Sequence, residues 1–191
     1  MRVRLGLLSL LILVLLTGCG QSGIPDAKNW QIEDFTFTNH EGEPFGLKDL
    51  KGKIWIADFI FTNCDDVCLP MTSNMVKLQM LAKEEGIENV EFVSISIDPK
   101  VDTPETLKKF GEQFNVDFSN FHFLTGYDQE FIEQFAVDNF KTFVKKPEGQ
   151  DQVIHGTDFF LIDQEGKIMT FYTGLNDIPF DEIIKDMKAL Q

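Results

Sequence analysis

The feature that most constrains the fold is an apolar strand that leads directly into two cysteines. Lys53 to Phe61 is apolar on both faces, which is typical of a central strand in a sheet covered on both sides. Cys64 and Cys68 follow, and Pro70, which has no N–H, fits only within the first turn of a helix. The stretch therefore predicts a strand, a dithiol loop and a helix that begins between residues 66 and 69.

The rest of the chain predicts a layered α/β domain with a mixed central sheet flanked by helices. An N-terminal strand pair, with a turn at residues 39–42, precedes the first strong strand. A polar loop over residues 141–152 is inserted before the strand that carries His155. The helix after the cysteines is expected to end near Gly86. Further helices are expected from residues 102–105, over 128–140 with Phe131, Ile132, Phe135 and Ala136 inward, and from Phe180. Further strands are expected over Val90–Ile97, at 121–124, over Ile154–Ile162 and, as the hairpin partner of that strand, over Lys167–Thr173.

The first residues have the pattern of an export signal. Arg2 and Arg4 precede an apolar run that is shorter than the ~20 residues needed to span a bilayer. The run ends in Leu-Thr-Gly-Cys19, which resembles the lipobox of bacterial lipoproteins, in which cleavage precedes a lipid-modified cysteine. We expect a signal peptide at 1–18, a linker at 19–29 anchored through Cys19 and a domain at 30–191. The alternatives are a plain secretory signal and an uncleaved anchor. All three interpretations place the domain outside the cytoplasm, and a lipoprotein would lie on the outer face of the bacterial cell membrane.

The charge of the chain excludes one class of partner. Removal of residues 1–18 takes away two of the 17 basic residues and leaves 15 against 31 acidic ones, a net charge of −16. A protein that binds nucleic acid needs a basic face, so no nucleic-acid partner is expected. Electrostatic docking on anionic lipid is disfavoured too, and a lipid at Cys19 would have to supply the membrane association.

The two cysteines of the loop leave three roles open: a disulfide, redox exchange or a soft metal site. A spacing of four across a helix entry brings the two Cα atoms to ~6 Å, which a disulfide permits. A disulfide that closes so short a loop adds little stability to a domain with a large core. Cys68 lies near a helix N-terminus, where the dipole favours thiolate, whereas Asp65 and Asp66 disfavour it.

If Cys64 and Cys68 bind a metal, their number favours copper. Two thiolates do not fill a tetrahedral zinc site, but copper accepts soft sulfur and low coordination. A neutral imidazole would complete a three-ligand set, and the chain offers three histidines. Surface or core roles are ordinary for His40 and His122, and His155 opens a strand beside the polar loop. The residues alone leave open whether His155 is a ligand.

Three motifs, in this order, resemble the Sco/SenC family. They are residues 59–70 around the cysteines, residues 94–105 (Ser-Ile-Ser-Ile-Asp-Pro-Lys-Val-Asp-Thr-Pro-Glu) and residues 154–163 (Ile-His-Gly-Thr-Asp-Phe-Phe-Leu-Ile-Asp). The resemblance implies a thioredoxin-like fold and copper binding by Cys64, Cys68 and His155. It also implies a role in assembling the binuclear copper centre, CuA, of cytochrome c oxidase, whose CuA-bearing subunit would be the partner.

Two acidic residues could support the site. Asp58 lies in the apolar strand six residues before Cys64, an offset that resembles the buried acid of thioredoxins. It could accept a proton during thiol chemistry or be a hydrogen-bonded structural acid. Asp98 ends the neighbouring strand on the same side as the cysteines, so it could steer copper or a ligand proton, or simply form the Asp-Pro turn.

Two functions follow from these features. The first is a copper-binding assembly factor for CuA, and the alternative is a thiol–disulfide reductase that keeps the cysteines of the CuA site reduced. The spacing differs from the Cys-x-x-Cys of thioredoxins, which weakens general oxidoreductase activity. A peroxiredoxin is disfavoured, because its pattern would need proline at Ala57 and threonine at Phe61.

Overall fold

The computed structural model describes residues 23–64 and 66–191. The expected signal peptide, Cys19 and Asp65 lie outside the described residues. Within the described ranges, no helix has both the length and the apolar character needed to cross a membrane.

In the described part of the chain, strands and helices alternate in the middle, between three successive strands at the start and four successive strands before the last helix. The strands are β1 (Trp30–Gln31), β2 (Thr36–Asn39), β3 (Pro44–Gly46), β4 (Ile54–Ile60), β5 (Val90–Ser96), β6 (Phe121–Thr125), β7 (Val144–Lys145), β8 (Ile154–His155), β9 (Asp158–Ile162) and β10 (Lys167–Thr173). The helices are α1 (Leu47–Leu50), α2 (Cys68–Glu84), α3 (Pro104–Gln113), α4 (Gln129–Phe135) and α5 (Phe180–Ala189), and a π-helical segment, Ala136–Phe140, continues α4.

Eight strands form one mixed sheet in the order β1-β10-β9-β4-β5-β6-β2-β3. The central strands β4, β5 and β6 are parallel, with Ile54 opposite Val90 and Ile60 opposite Ser96. Strand β9 pairs antiparallel with β4, and β2 pairs antiparallel with β6. The mixed α/β sheet and the N-terminal strand pair, β2 and β3, are therefore confirmed. Because β4 and β5 run in the same direction, their exits lie at the same edge of the sheet.

The core is centred on β4, in which every residue is buried. Side chains of a strand alternate between its two faces, and Phe59 lies on the face that meets the π-helical segment. Its ring centroid is 5.0 Å from that of Phe140 and 6.4 Å from that of Phe160. The apolar character on both faces of β4, noted in the sequence, thus reflects burial from both sides.

Two elements differ from the sequence-based expectation. The strand expected over Ile154–Ile162 is broken: β8 pairs with β7 in a separate two-stranded ribbon, and β9 begins only at Asp158. Gly156 lies at the break, where a Cβ would be 2.5 Å from Thr142 Oγ1. The segment 141–152, expected to be a polar loop, contains strand β7. Its Val144 is buried, so this part of the segment packs against the domain. Phe131, expected inward on α4, is 48 % exposed.

Part of the expected linker packs against the domain. Ile24 is buried, and the backbone N–H of Lys28 donates to the carbonyl of Met169 at 2.8 Å. The described residues 23–29 therefore follow the surface of β10 rather than extending away from it.

Phe140 and Phe143 offer a matched test of the aromatic core. Phe140 is 1 % exposed and Phe143 is 59 % exposed, three residues further on. Phe140→Ala is expected to lower the free energy of unfolding by about 3–5 kcal/mol, because it leaves a cavity against Phe59 and Phe160. Phe143→Ala is expected to change it by less than about 0.5 kcal/mol. Urea denaturation of both variants measures the difference, and equal effects would contradict this description of the core.

Candidate metal centre

The loop that holds Cys64 is fixed at the exit of β4 by a buried carboxylate. Asp102 accepts hydrogen bonds from the backbone N–H and the hydroxyl of Thr62. The hydroxyl of Ser96, at the end of β5, donates to the same carboxylate at 2.6 Å. The carboxylate of Asp102 therefore links the C-terminal ends of the parallel strands β4 and β5. Its contact on the β4 side is Thr62, two residues before Cys64.

Both sulfurs lie at the N-terminus of α2. Cys68 is the first residue of the helix, and Val67, the N-cap, makes no side-chain capping bond. The backbone N–H of Cys68 instead donates to the sulfur of Cys64 at 3.4 Å, so that sulfur occupies the place of a capping acceptor. Both cysteines are buried and neither is in a disulfide.

The ribbon of β7 and β8 brings His155 to the cysteines. Its Nε2 lies 3.6 Å from the sulfur of Cys68, and its ring meets the edge of Phe61 with centroids 5.9 Å apart. Its Nδ1 lies 2.7 Å from the carbonyl oxygen of Gly156. A carbonyl can only accept, so Nδ1 carries the proton and Nε2 presents its lone pair to the sulfurs.

These three side chains form a group that could hold a metal ion. The sulfurs of Cys64 and Cys68 and the ring nitrogen of His155 all lie within 4.8 Å of one another. Two soft sulfurs and one imidazole leave a tetrahedral zinc site one ligand short, but the donor set suits copper. In the described ranges this is the one group of three or more His, Cys, Asp or Glu residues with such spacing.

Burial controls the protonation of two of the three donors, Cys68 and His155. It raises the pKa of the Cys68 thiol above the ordinary range, and the neighbouring Cys64 thiol adds to the effect while a backbone hydrogen bond involving Phe61 opposes it. The helix dipole expected to favour a Cys68 thiolate is therefore outweighed by desolvation. Burial also lowers the pKa of His155, against a smaller opposing contribution from its bond to Gly156, so the imidazole is held neutral.

Asp58 is fully buried in β4, and neither of its carboxylate oxygens has a partner with hydrogen-bond geometry. Burial raises its pKa to about 7, and the nearby hydroxyl of Ser94 opposes only part of that rise. The carboxyl also contributes, as the smallest cause, to the raised pKa of the Cys68 thiol. The structure thus places an acid that titrates near neutrality close to the dithiol.

Asp98 lies outside the group formed by the cysteines and His155. Its Oδ2 pairs with the ammonium of Lys146, a residue of the polar loop. Its backbone N–H donates to the hydroxyl of Ser96. Of the two roles considered for Asp98, steering copper or a ligand proton and forming the Asp-Pro turn, neither involves a contact with the three donors in this structure, and its charge is directed to a lysine.

Two residues that support the site, Asp102 and Glu133, are not among the predicted site residues. Asp102 was assigned to a helix start, but Thr103 caps α3 by accepting from the N–H of Thr106. Glu133 on α4 binds the loop that contains β7. Asp102 lies within one of the three motifs, which was the available signal, whereas no local pattern marks Glu133. Met71 and Met75, on α2 after the cysteines, are fully buried and belong to the core.

The chain is similar to known proteins in sequence and in structure. The SCO1/SenC family model matches residues 25–191. The SCO1 protein homolog of Bacillus subtilis is 47 % identical over 189 residues, covering 99 % of this chain and 97 % of the relative. A SCO1/SenC family lipoprotein from Bacillus anthracis has a solved structure that is 55 % identical, with a TM-score of 0.85, covering 88 % of this chain and 99 % of that one.

Two further solved structures bear on function. BsSco, described as a member of the Sco family of cytochrome c oxidase assembly proteins, is 48 % identical with a TM-score of 0.81, covering 87 % of this chain and 96 % of that one. Yeast Sco1 with copper bound is 27 % identical with a TM-score of 0.68, covering 83 % and 89 %. The likeness confirms the thioredoxin-like fold expected from the sequence. The chain belongs to the SCO1/SenC family.

Proposed function

We propose that this protein binds copper through Cys64, Cys68 and His155 and serves the assembly of the CuA centre of cytochrome c oxidase. The observation that carries the proposal is the convergence of the three donors, with His155 Nε2 3.6 Å from the Cys68 sulfur. Copper is the cargo, and the oxidase subunit that carries CuA is the partner that receives it or is prepared by it.

The chemistry of the donors supports copper. Thiolates are soft ligands, and burial makes uncompensated thiolates costly, so a bound cation would offset the cost of deprotonating Cys68. The imidazole of His155 needs no deprotonation, since burial keeps it neutral and Gly156 fixes its tautomer. The protein's own contribution is to hold three donors together and to limit the access of water to them.

The relatives support both halves of the proposal. Yeast Sco1 has been solved with copper bound, and BsSco is described as belonging to a family of cytochrome c oxidase assembly proteins. We further propose that residues 1–18 are removed and that Cys19 carries a lipid, which holds the domain on the outer face of the bacterial membrane. The description of the Bacillus anthracis relative as a lipoprotein supports this. The net acidic charge supports the absence of a nucleic-acid partner.

Substitution of the ligands tests the copper site directly. We expect Cys64→Ser and Cys68→Ser to abolish tight binding, because each removes a thiolate. His155→Ala is expected to weaken Cu(I) binding by at least the roughly 10–100-fold that loss of an outer-shell partner costs, and to change the Cu(II) spectrum, because a ligating imidazole is lost. Anaerobic titration of the reduced protein with Cu(I) and Cu(II), with competition by a chelator, measures stoichiometry and affinity.

His122→Ala is the matched control, since it removes an imidazole that binds Glu91 and lies outside the group of three. It should leave stoichiometry and affinity unchanged. A His155→Ala protein that binds copper as tightly as the wild type, with the same spectrum, would refute the ligand assignment. The role in assembly is tested in cells that lack the wild-type protein. There, the cysteine variants are expected not to restore oxidase activity.

The second candidate, a thiol–disulfide reductase for the cysteines of the CuA site, is favoured by one observation. Asp58 is a buried acid with a pKa of about 7 beside a reduced pair of cysteines. Such a group can accept a proton from a thiol during disulfide exchange. The two functions are compatible, because copper binds only the reduced dithiol. A variant that binds no copper but still supports oxidase assembly would favour the reductase.

The raised pKa of Asp58 predicts a specific dependence of stability on pH. In the unfolded chain the carboxyl ionises near its usual value of 3.8, but in the folded, metal-free protein it stays protonated up to about pH 7. The folded state therefore binds more protons at this carboxyl in this window, and the contribution of Asp58 to stability should fall by about 1.4 kcal/mol per pH unit as pH rises from about 4 to 7. Asp58→Asn lacks this titration.

Urea denaturation of the reduced, metal-free proteins between pH 4 and 8 measures the effect. The stability of Asp58→Asn relative to the wild type should rise steadily up to about pH 7 and be flat above it. A difference between the two proteins that does not change with pH would show that Asp58 is not protonated in the folded state at pH 5–6.

A further inference from the structure

The position of His155 depends on what fixes the β7–β8 ribbon to the rest of the domain. The ribbon is separate from the eight-stranded sheet, and its strands pair with each other, Val144 with His155 and Lys145 with Ile154. The cysteines, in contrast, follow the central strand β4 and begin α2. The imidazole and the sulfurs therefore lie on two parts of the structure, which are joined by the chain from His155 to the start of β9 at Asp158 and by side-chain contacts.

One contact joins the segment before β8 to the dithiol loop itself, where the side-chain amide of Gln152 donates to the carbonyl of Asn63 at 3.0 Å. Glu133, on α4, binds the ribbon through two further contacts. Its Oε2 lies 2.6 Å from the ammonium of Lys145, and its Oε1 accepts the backbone N–H of Lys146 at 2.9 Å. Lys145 is directly opposite Ile154, the residue before His155. Both oxygens of one carboxylate thus hold the ribbon one residue pair away from the imidazole.

The contacts continue from Glu133 to the exit of β5. The side-chain amide of Gln129 donates to the carbonyl of Ile97 at 3.1 Å and to Oε1 of Glu133 at 3.3 Å. Lys146, whose backbone binds Glu133, places its ammonium on Asp98. The end of β5 is thus linked to α4, α4 to the ribbon, and the ribbon back to the end of β5. These contacts lie at the same edge of the sheet as the dithiol loop.

We propose that Glu133 is a positioning residue for metal binding, which holds the β7–β8 ribbon so that His155 stays within reach of Cys68. The inference rests on the proposed copper site. Exposed ion pairs contribute little, but the Glu133 side chain is only 13 % exposed and it also accepts a backbone N–H. Without it, the ribbon samples arrangements in which the imidazole is away from the sulfurs, and the apparent affinity falls with the fraction of molecules that remain competent.

A double-mutant cycle separates this role from general stabilisation. Cu(I) affinity is measured by chelator competition on the full chain as wild type, Glu133→Ala, His155→Ala and the double variant. We expect Glu133→Ala to weaken binding about tenfold when His155 is present and to have no effect when it is absent. Glu133→Gln, which keeps one acceptor oxygen, should lie between. Glu130→Ala removes an exposed acid from the same helix and should leave the affinity unchanged.

A spectroscopic readout checks the same point without an affinity. The electron paramagnetic resonance spectrum of Cu(II) bound to the wild type should show coupling to a histidine nitrogen, and this coupling should weaken in Glu133→Ala but not in Glu130→Ala. If Glu133→Ala fails to fold, the cycle is repeated with Lys145→Met, which removes the ion pair from the ribbon side and keeps the aliphatic stem.

The outcomes distinguish this inference from the proposed function. Copper binding that does not depend on His155 in the wild type would refute the copper site itself. Binding that depends on His155, combined with an equal effect of Glu133→Ala in both backgrounds or with no effect at all, would refute the positioning role and leave the copper site standing.

Discussion

The burial of two thiols at the exit of β4 is the constraint on which the rest of the site depends. Cys64 and Cys68 lie where a parallel strand meets a helix N-terminus, and Cys68 is fully buried. Desolvation holds its thiol protonated despite the helix dipole. A cation that binds the sulfurs must therefore replace protons, which couples occupancy of the site to pH and to the redox state of the dithiol.

The ligands are supported in two different ways. Asp102 binds Thr62 and Ser96 through a buried carboxylate and fixes the dithiol loop to the central strands. His155 instead stands on a two-stranded ribbon, which is held by ion pairs, a backbone hydrogen bond and the buried Val144, and by a bond from Gln152 to the carbonyl of Asn63. The two cysteines are therefore part of the core, whereas His155 is held next to them by contacts outside the eight-stranded sheet.

The central elements were predictable from the sequence because their signals are local. The apolar run of β4, the proline in the first turn of α2 and the cap and proline of α3 each lie within a few residues of the element they define. The ribbon was missed because Ile154 to Ile162 reads as one apolar strand. Only packing shows that Gly156 must pass Thr142 closely, and only the fold brings Glu133 to Lys146.

The separation of the donors along the chain has a consequence for maturation. Cys68 and His155 are 87 positions apart, and several strand pairings must form before they meet. A newly synthesised polypeptide consequently offers two thiols and no organised imidazole, and such distant pairings are slow to form. A metal ion can therefore meet all three donors only after folding. During the interval before folding, an oxidant can reach the sulfur pair first, so a source of electrons would govern how many molecules become competent.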